Sequence, residues 1–387
     1  MDIAIIHNFT EHLGGGDLVA LDILETLLEK DHTIDIYTSY PKGVSKAIEI
    51  FDKDPRITEN TNVIRVEVPK LVRHPYNIYF ITKKMLNKLK EYSLVIFFDD
   101  IPKLAQELKK IFVYVHYPHA ARIILYQLVP YRYRNSIRGK MVWRAHSILF
   151  KQCFLMNWDK PNIYVATNST LTYEHVVKAL KPRYVVKIYP PVQVEKIIEY
   201  VKKLGVEKED LAVYVGRIQP EKGIEDIIEA LRYVERRDVK VRIIGFGFDD
   251  RYLQYLKNRV RSLGLDNRVE FRINAPRNEV VETLARAKVL IHPAHYEPFG
   301  IAVVEGMATG CIPIVRKGMN GPWIDIVDEG RFGLGFENPK ELAFLLDLIL
   351  NRNNSFRIID EIFRRVIMFS EKTFKQKLIN YLNSILP

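Results

Sequence analysis

The feature that most constrains this chain is a rhythm that runs twice. Short Val- and Ile-rich runs alternate with longer amphipathic stretches, break at Pro190-Pro191, and then begin again. The runs are too short for helices and carry little polar alternation, which is how strands buried in a parallel sheet read. The first series predicts strands near Ile3–His7, Ile34–Thr38, Val63–Val66, Leu94–Phe98, Phe112–Val115 and Tyr164–Thr167. Val185–Ile188 then runs into the proline pair, a stiff extended break, and the helix-like Glu195–Leu204 follows. The second series predicts strands near Ala212–Val215, Val241–Ile244, Val269–Phe271, Val289–His292 and Ile312–Val315. Strand and helix in alternation imply βαβ units. The expected fold is therefore α/β, with two facing Rossmann-like domains and a cleft between them. Residues 1–195 form the first, residues 196–365 the second, and a helical tail over 366–387 packs back on the first.

Composition excludes several classes. A hydrophobic share of 48% with 27% charged residues is that of a globular protein. Cys153 and Cys311 stand far apart, which argues against a disulfide framework or a cysteine-based zinc site and suits a reducing compartment. Met-Asp-Ile-Ala-Ile-Ile at the start reads as a strand and not as a signal peptide or membrane anchor. No apolar run reaches the ~18 residues a membrane span needs, so a cytoplasmic chain is expected. The net charge of +11 leaves phosphorylated small molecules, anionic lipid and nucleic acid as candidate partners.

Two motifs in the second half point to an anion and a sugar. The strand Ala212–Val215 leads into Gly216-Arg217-Ile218-Gln219-Pro220-Glu221-Lys222-Gly223. A glycine at a strand end permits a tight turn, and Arg217 and Lys222 suit a diphosphate, the one by its planar fork and the other as a point charge. A solvated basic turn would look the same. Further on comes His295-Tyr296-Glu297-Pro298-Phe299-Gly300-Ile301, with Glu305 and then Gly310. Pro298 and Gly310 predict the two ends of a helix of about 11 residues, whose N-terminus would seat a phosphate. Glu297, just before it, can accept hydrogen bonds from sugar hydroxyls. Glu305, two turns on within an apolar helix, can hold a ribose diol and needs a partner.

These residues resemble glycosyltransferase family 4, a retaining family with the GT-B fold. Glu297 and Glu305 match its paired-glutamate motif, and Gly216–Gly223 its diphosphate loop. The resemblance implies donor binding by Arg217, Lys222, Phe299, Gly300, Ile301 and Glu305, with Glu297 orienting the sugar. In the first half, Gly14-Gly15-Gly16 follows strand one, and Gly15 and Gly16 would let the backbone approach the donor phosphate. His116-Tyr117-Pro118 follows the strand Phe112–Val115. The resemblance makes His116 a group that contacts the transferred sugar; a histidine that merely ends a strand is the plainer alternative. Val113–Pro118, His7-Asn8, Tyr189–Val192, Asn320–Pro322 and Asp325–Val327 are similar to the mannosyltransferases that elongate lipid-linked oligosaccharide on the cytosolic side of a membrane. Asn320-Gly321 departs from the usual glycine pair.

From Tyr117 to Trp158 there is no Asp or Glu, yet Arg122, Arg132, Arg134, Arg138, Lys140, Arg144 and Lys151 occur among aromatics that include Tyr126, Tyr131, Tyr133, Trp143, Phe154 and Trp158. Such a segment suits an anionic membrane surface or a lipid-phosphate acceptor, with Arg132, Arg134, Arg138, Lys140, Trp143 and Arg144 as the contacts. Nucleic acid, or arginines scattered over a solvated surface, are the alternatives. His292, His295 and Glu297 cluster in sequence but lack the company of a metal site, so no metal and no cofactor is expected. The expected reaction is transfer of mannose or glucose from GDP- or UDP-hexose to an acceptor hydroxyl of a lipid-linked or membrane-associated glycan. A GT-B epimerase or phosphorylase, or a non-catalytic nucleotide-sugar or lipid-phosphate binder, would share the architecture.

Overall fold

The computed structural model describes residues 1–9, 13–30, 32–69, 75–126, 136–247, 249–350 and 358–386. The chain divides into two compact units, Met1–Pro191 with Phe374–Pro387, and Val192–Thr373. Each is built on its own parallel sheet.

The first unit's strands are β1 (Asp2–Ile6), β2 (Thr33–Thr38), β3 (Thr61–Arg65), β4 (Leu94–Phe98), β5 (Ile111–Val115), β6 (Ile163–Thr167) and β7 (Tyr184–Lys187). They lie in the order β3-β2-β1-β4-β5-β6-β7. β4 and β5 are buried at every residue, as Leu-Val-Ile-Phe-Phe and Ile-Phe-Val-Tyr-Val require when helices cover both faces. The C-terminal helix Glu371–Ile385 supplies part of that cover. Phe374, Leu378, Leu382 and Ile385 recur at helical spacing and join the core of Phe112, Tyr114 and Ile188. Its far end is pinned by Lys110 Nζ, which donates to the carbonyl of Ile385 at 2.7 Å.

The second unit holds β8 (Glu209–Arg217), β9 (Lys240–Phe246), β10 (Val269–Ile273), β11 (Ala287–His292), β12 (Ile312–Arg316) and β13 (Leu334–Phe336). Their order is β10-β9-β8-β11-β12-β13. β13 was not anticipated, because Leu-Gly-Phe is too short to show a pattern. In both sheets the order reverses once, between β1 and β4 and between β8 and β11. In open sheets of this kind the carboxyl ends of the strands at such a reversal are the usual ligand position.

The helix expected to start at Pro298 is shorter than its flanking signals suggest. It spans Ile301–Ala308, eight residues. Gly300 precedes it with φ +98°, a left-handed turn that a side chain resists, so Pro298 belongs to the approach and not to the first turn. Gly310 does close it, at φ +82°.

Candidate functional site

In the second unit, β8 delivers Arg217 to the surface, and the hydroxyl of Tyr214 donates to the Arg217 carbonyl at 2.8 Å, bracing the turn. Arg217 is exposed, and no carboxylate among the described residues pairs with it. Lys222 ends the following turn, Pro220–Lys222. Its Nζ lies 2.5 Å from Glu297 Oε2, and His292 Nε2, at the end of β11, lies 3.5 Å from the same oxygen. Burial alone would raise the Glu297 carboxyl; the Lys222 charge and the His292 ring override it and hold the group well below the usual carboxylate range. Glu297 is thus a permanent anion.

Asn320 fixes the loop that carries it. The Glu297 amide donates to Asn320 Oδ1 at 3.0 Å, and Asn320 Nδ2 donates to the Ala294 carbonyl at 2.9 Å. Gly321 donates to the Glu297 carbonyl at 2.9 Å, and a Cβ on Gly321 would sit 2.0 Å from the Pro298 oxygen. The loop after β12 therefore clamps the loop after β11 by close backbone approach. Immediately beyond, the Val303 amide donates to the Gly300 carbonyl at 2.9 Å, and the amides before it lie at the positive end of the helix Ile301–Ala308. Phe299 is 3% exposed, its ring 5.5 Å from Phe369, so its aromatic face is spent on the core and only its main chain is left for a ligand.

Glu305 lies on the same helix with its side chain 13% exposed, and Arg277 Nη2 donates to its Oε1 at 2.6 Å. Arg277 opens the helix Arg277–Arg286. Each of the two glutamates therefore has its own cation, Lys222 for Glu297 and Arg277 for Glu305.

In the first unit, Gly14 begins the helix Gly15–Leu28, and Asp17 Oδ2 accepts from the Gly14 amide at 2.8 Å while Asp17 Oδ1 meets His7 Nε2 at 2.9 Å. Gly16 lies against His116: a Cβ there would be 3.4 Å from His116 Nε2. That nitrogen is buried without a hydrogen-bond partner among the described residues. Burial pushes the His116 imidazole below its ordinary pKa against the pull of Asp99, so it is neutral near pH 7. Asp99, at φ +63°, accepts from the amides of His116 and Tyr117 at 2.7 and 3.0 Å. Asp100 meets His119 Nδ1 at 2.9 Å. An aspartate pair at the end of β4 thus holds the loop after β5.

Residues 196–364 match the family described as "Glycosyl transferases group 1". That match runs over nearly all of the second unit, Val192–Thr373. Similarity to a Neurospora crassa protein named "GDP-Man:Man(3)GlcNAc(2)-PP-Dol alpha-1,2-mannosyltransferase" is 26% identity over 74% of this chain and 56% of that one. A Caenorhabditis elegans protein of the same name is 27% identical over 57% of this chain and 51% of its own. The chain therefore spans about half the length of these two relatives. The crystal structure of Anabaena HepE in complex with UDP superposes with a TM-score of 0.67 at 17% identity, covering 99% of this chain and 100% of that one. The fold is GT-B, with two Rossmann-like units.

In the second unit the sequence pattern missed Arg277 and the roles of Asn320 and His292. His292 reads in sequence as one member of a possible metal cluster. In three dimensions it backs Glu297, whereas His295 leans toward Asp226 at 3.7 Å. No group of three or more His, Cys, Asp or Glu among the described residues could hold a metal ion. Asp99 and Asp100 were also missed, although two acids directly after an all-apolar strand are a readable signal. In the basic segment, Arg132 and Arg134 lie outside the described residues. Arg138, Lys140 and Arg144 are exposed on the helix Ile137–Phe154. Trp143 is not available as a surface contact: it is 7% exposed, packed in the first unit's core with its ring 5.0 Å from that of His146.

Proposed function

We propose that the chain transfers a hexose, mannose or glucose, from a nucleoside diphosphate to a hydroxyl of a lipid-linked glycan, with retention of configuration. The observation that carries this is the Lys222–Glu297–His292 cluster beside a helix N-terminus, at the carboxyl ends of β8 and β11. Breaking the bond between the anomeric carbon and the phosphate oxygen leaves negative charge on the diphosphate. Exposed Arg217, Lys222 and the amides at Gly300 and Ile301 are preorganised to take that charge. Glu297, anionic and held by Asn320, orients the hexose through its hydroxyls. Glu305 accepts from the ribose diol. His116, neutral and with Nε2 unpartnered among the described residues, offers that nitrogen to a sugar hydroxyl; Gly16 lies beside it, and Gly15 and Gly16 serve as the donor-phosphate approach of the first unit. The new bond forms to the acceptor oxygen as a leaving phosphate oxygen takes its proton, the course that the family resemblance implies. Cationic side chains and backbone amides serve the diphosphate in this reading, with no metal and no cofactor.

The names of the relatives favour GDP-mannose as donor and a dolichol-linked glycan as acceptor. Such an acceptor supports, as part of this proposal, work at the cytoplasmic face of a membrane, on an anionic surface. No helix of the described residues is long and apolar enough to cross one. Calorimetric titration of GDP-, UDP- and ADP-sugars without added metal tests the donor. Micromolar binding of one of them, followed by transfer to a polyprenyl-diphosphate glycan, is the expected result. Binding of none removes the proposal.

A further inference from the structure

The helix Ile137–Phe154 has two faces that do different work. Trp143, Phe150 and Phe154 turn inward and are at most 7% exposed. On the outer side Ile137 is 81% exposed, Met141 66% and Ile148 62%. At ~100° per residue these three fall within about 40° of one another and form one crest. Arg144, Lys151 and Lys140, all exposed, follow along one flank of it, and Arg138 lies on the other with Val142 and Leu149, which are 48% and 47% exposed. The helix contains no acidic residue, and none occurs from Tyr117 to Trp158. Five large apolar side chains in water on one helix are a cost that a water-facing helix does not carry without a use. A protein partner or a second copy of this chain would cover the apolar crest, yet its acid-free rim would repel the +11 copy. An anionic bilayer satisfies both features at once, taking the crest into its headgroup–acyl boundary and the cations at its phosphates.

We infer that the outer face of Ile137–Phe154 is the surface by which this protein docks on an anionic membrane, with Ile137, Met141 and Ile148 entering the bilayer and Lys140, Arg144 and Lys151 binding headgroups. The inference deepens the membrane part of the proposed function and rests on it, but it does not depend on the donor chemistry. It also replaces Trp143 as the apolar anchor, since that ring is inside the fold.

Flotation of the full chain with phosphatidylcholine vesicles, with and without phosphatidylglycerol, tests it. Wild type should float with the anionic vesicles only, and less as salt rises. Replacing Lys140, Arg144 and Lys151 by Gln should lower the partition coefficient roughly fivefold per cation, on the order of a hundredfold in all. The Ile137→Ser, Met141→Ser, Ile148→Ser variant should also release the protein; these side chains are exposed, so an unchanged circular-dichroism melt shows that it still folds. Wild-type flotation that both variants retain overturns this face and leaves membrane binding standing. Failure of wild type to float overturns both. A wild-type dimer that the serine variant dissolves, or binding of short RNA in preference to vesicles, assigns the face to another occupant and overturns the inference.

Discussion

Lys222 Nζ and Glu297 Oε2 are 2.5 Å apart although 75 residues separate them in the chain, and both side chains are less than a fifth exposed. The pair joins the two strongest sequence motifs into one site. Its partners are unequal in what they do. Lys222 keeps Glu297 ionised, and in the proposed reaction Glu297 gives the sugar an acceptor.

Glu297→Gln should therefore lower kcat by a hundredfold or more, on the scale of losing one preorganised polar contact in a transition state, while nucleoside diphosphate affinity changes by less than about threefold. Lys222→Met leaves a carboxylate mostly buried with only His292 beside it, which should destabilise the protein by about 2 kcal/mol. Combining the two substitutions should recover most of that stability and none of the activity. Urea unfolding and single-turnover kinetics separate the two effects.

Arg277 donates to Oε1 of Glu305, and in the proposed function Oε2 serves the ribose diol. Arg277→Ala should free the carboxylate to rotate, weaken nucleoside diphosphate binding about tenfold, and shrink the preference for ribose over 2′-deoxyribose. Calorimetry with both nucleotides measures it. An unchanged ribose preference would show that the pair is only a surface ion pair.

Gly321→Ala puts a methyl carbon where the Pro298 oxygen stands, 2.0 Å away. The loop after β11 must shift, at a cost of about 1–3 kcal/mol, and Glu297 moves with it. Activity should fall well before global stability does, as seen by comparing kcat with the melting temperature.

His116 and His119 make opposite contributions to stability against pH. Burial lowers the His116 pKa below 6.5, so its contribution is complete above 6.5 and is lost as pH falls from there through the lowered value. Burial also opposes the charge on His119, but Asp100 outweighs it and raises that pKa above 6.5. Its contribution is complete below 6.5 and is lost as pH rises through the raised value. Melting curves from about pH 5 to 9 should show His116→Gln flattening the acid side and Asp100→Asn flattening the neutral side.

Transfer should survive chelation. Dialysis against EDTA should leave kcat unchanged within twofold, and a requirement restored by Mg²⁺ or Mn²⁺ would reassign the diphosphate contact from Arg217 and Lys222 to a metal.

Much of the molecule was legible because its signals are local. A buried parallel strand must be apolar on both faces, so Leu94–Phe98 could be placed to the residue. β13 escaped because three residues carry no period. The glutamates of the site were visible because their spacing lies within one loop and one helix. Their cations were less visible, since Arg277 stands 28 residues from Glu305 with no pattern to connect them. Trp143 misled for a related reason: composition marks a segment as basic and aromatic, but only packing decides which face of a helix is inside.

By itself the sequence determined the alternation of strand and helix, the proline break, the paired-glutamate and basic-loop motifs, and the acid-free segment. These follow from steric and hydrophobic periods that each stretch must obey wherever it ends up. Tertiary structure alone decided which charges meet. The carboxyl ends of β8 and β11 become neighbours only when the sheet orders them side by side, and only then do Lys222 and His292 converge on Glu297 and hold it as an anion. Desolvation and Coulomb attraction act through space, and the chain order of the residues does not record the distances on which both depend.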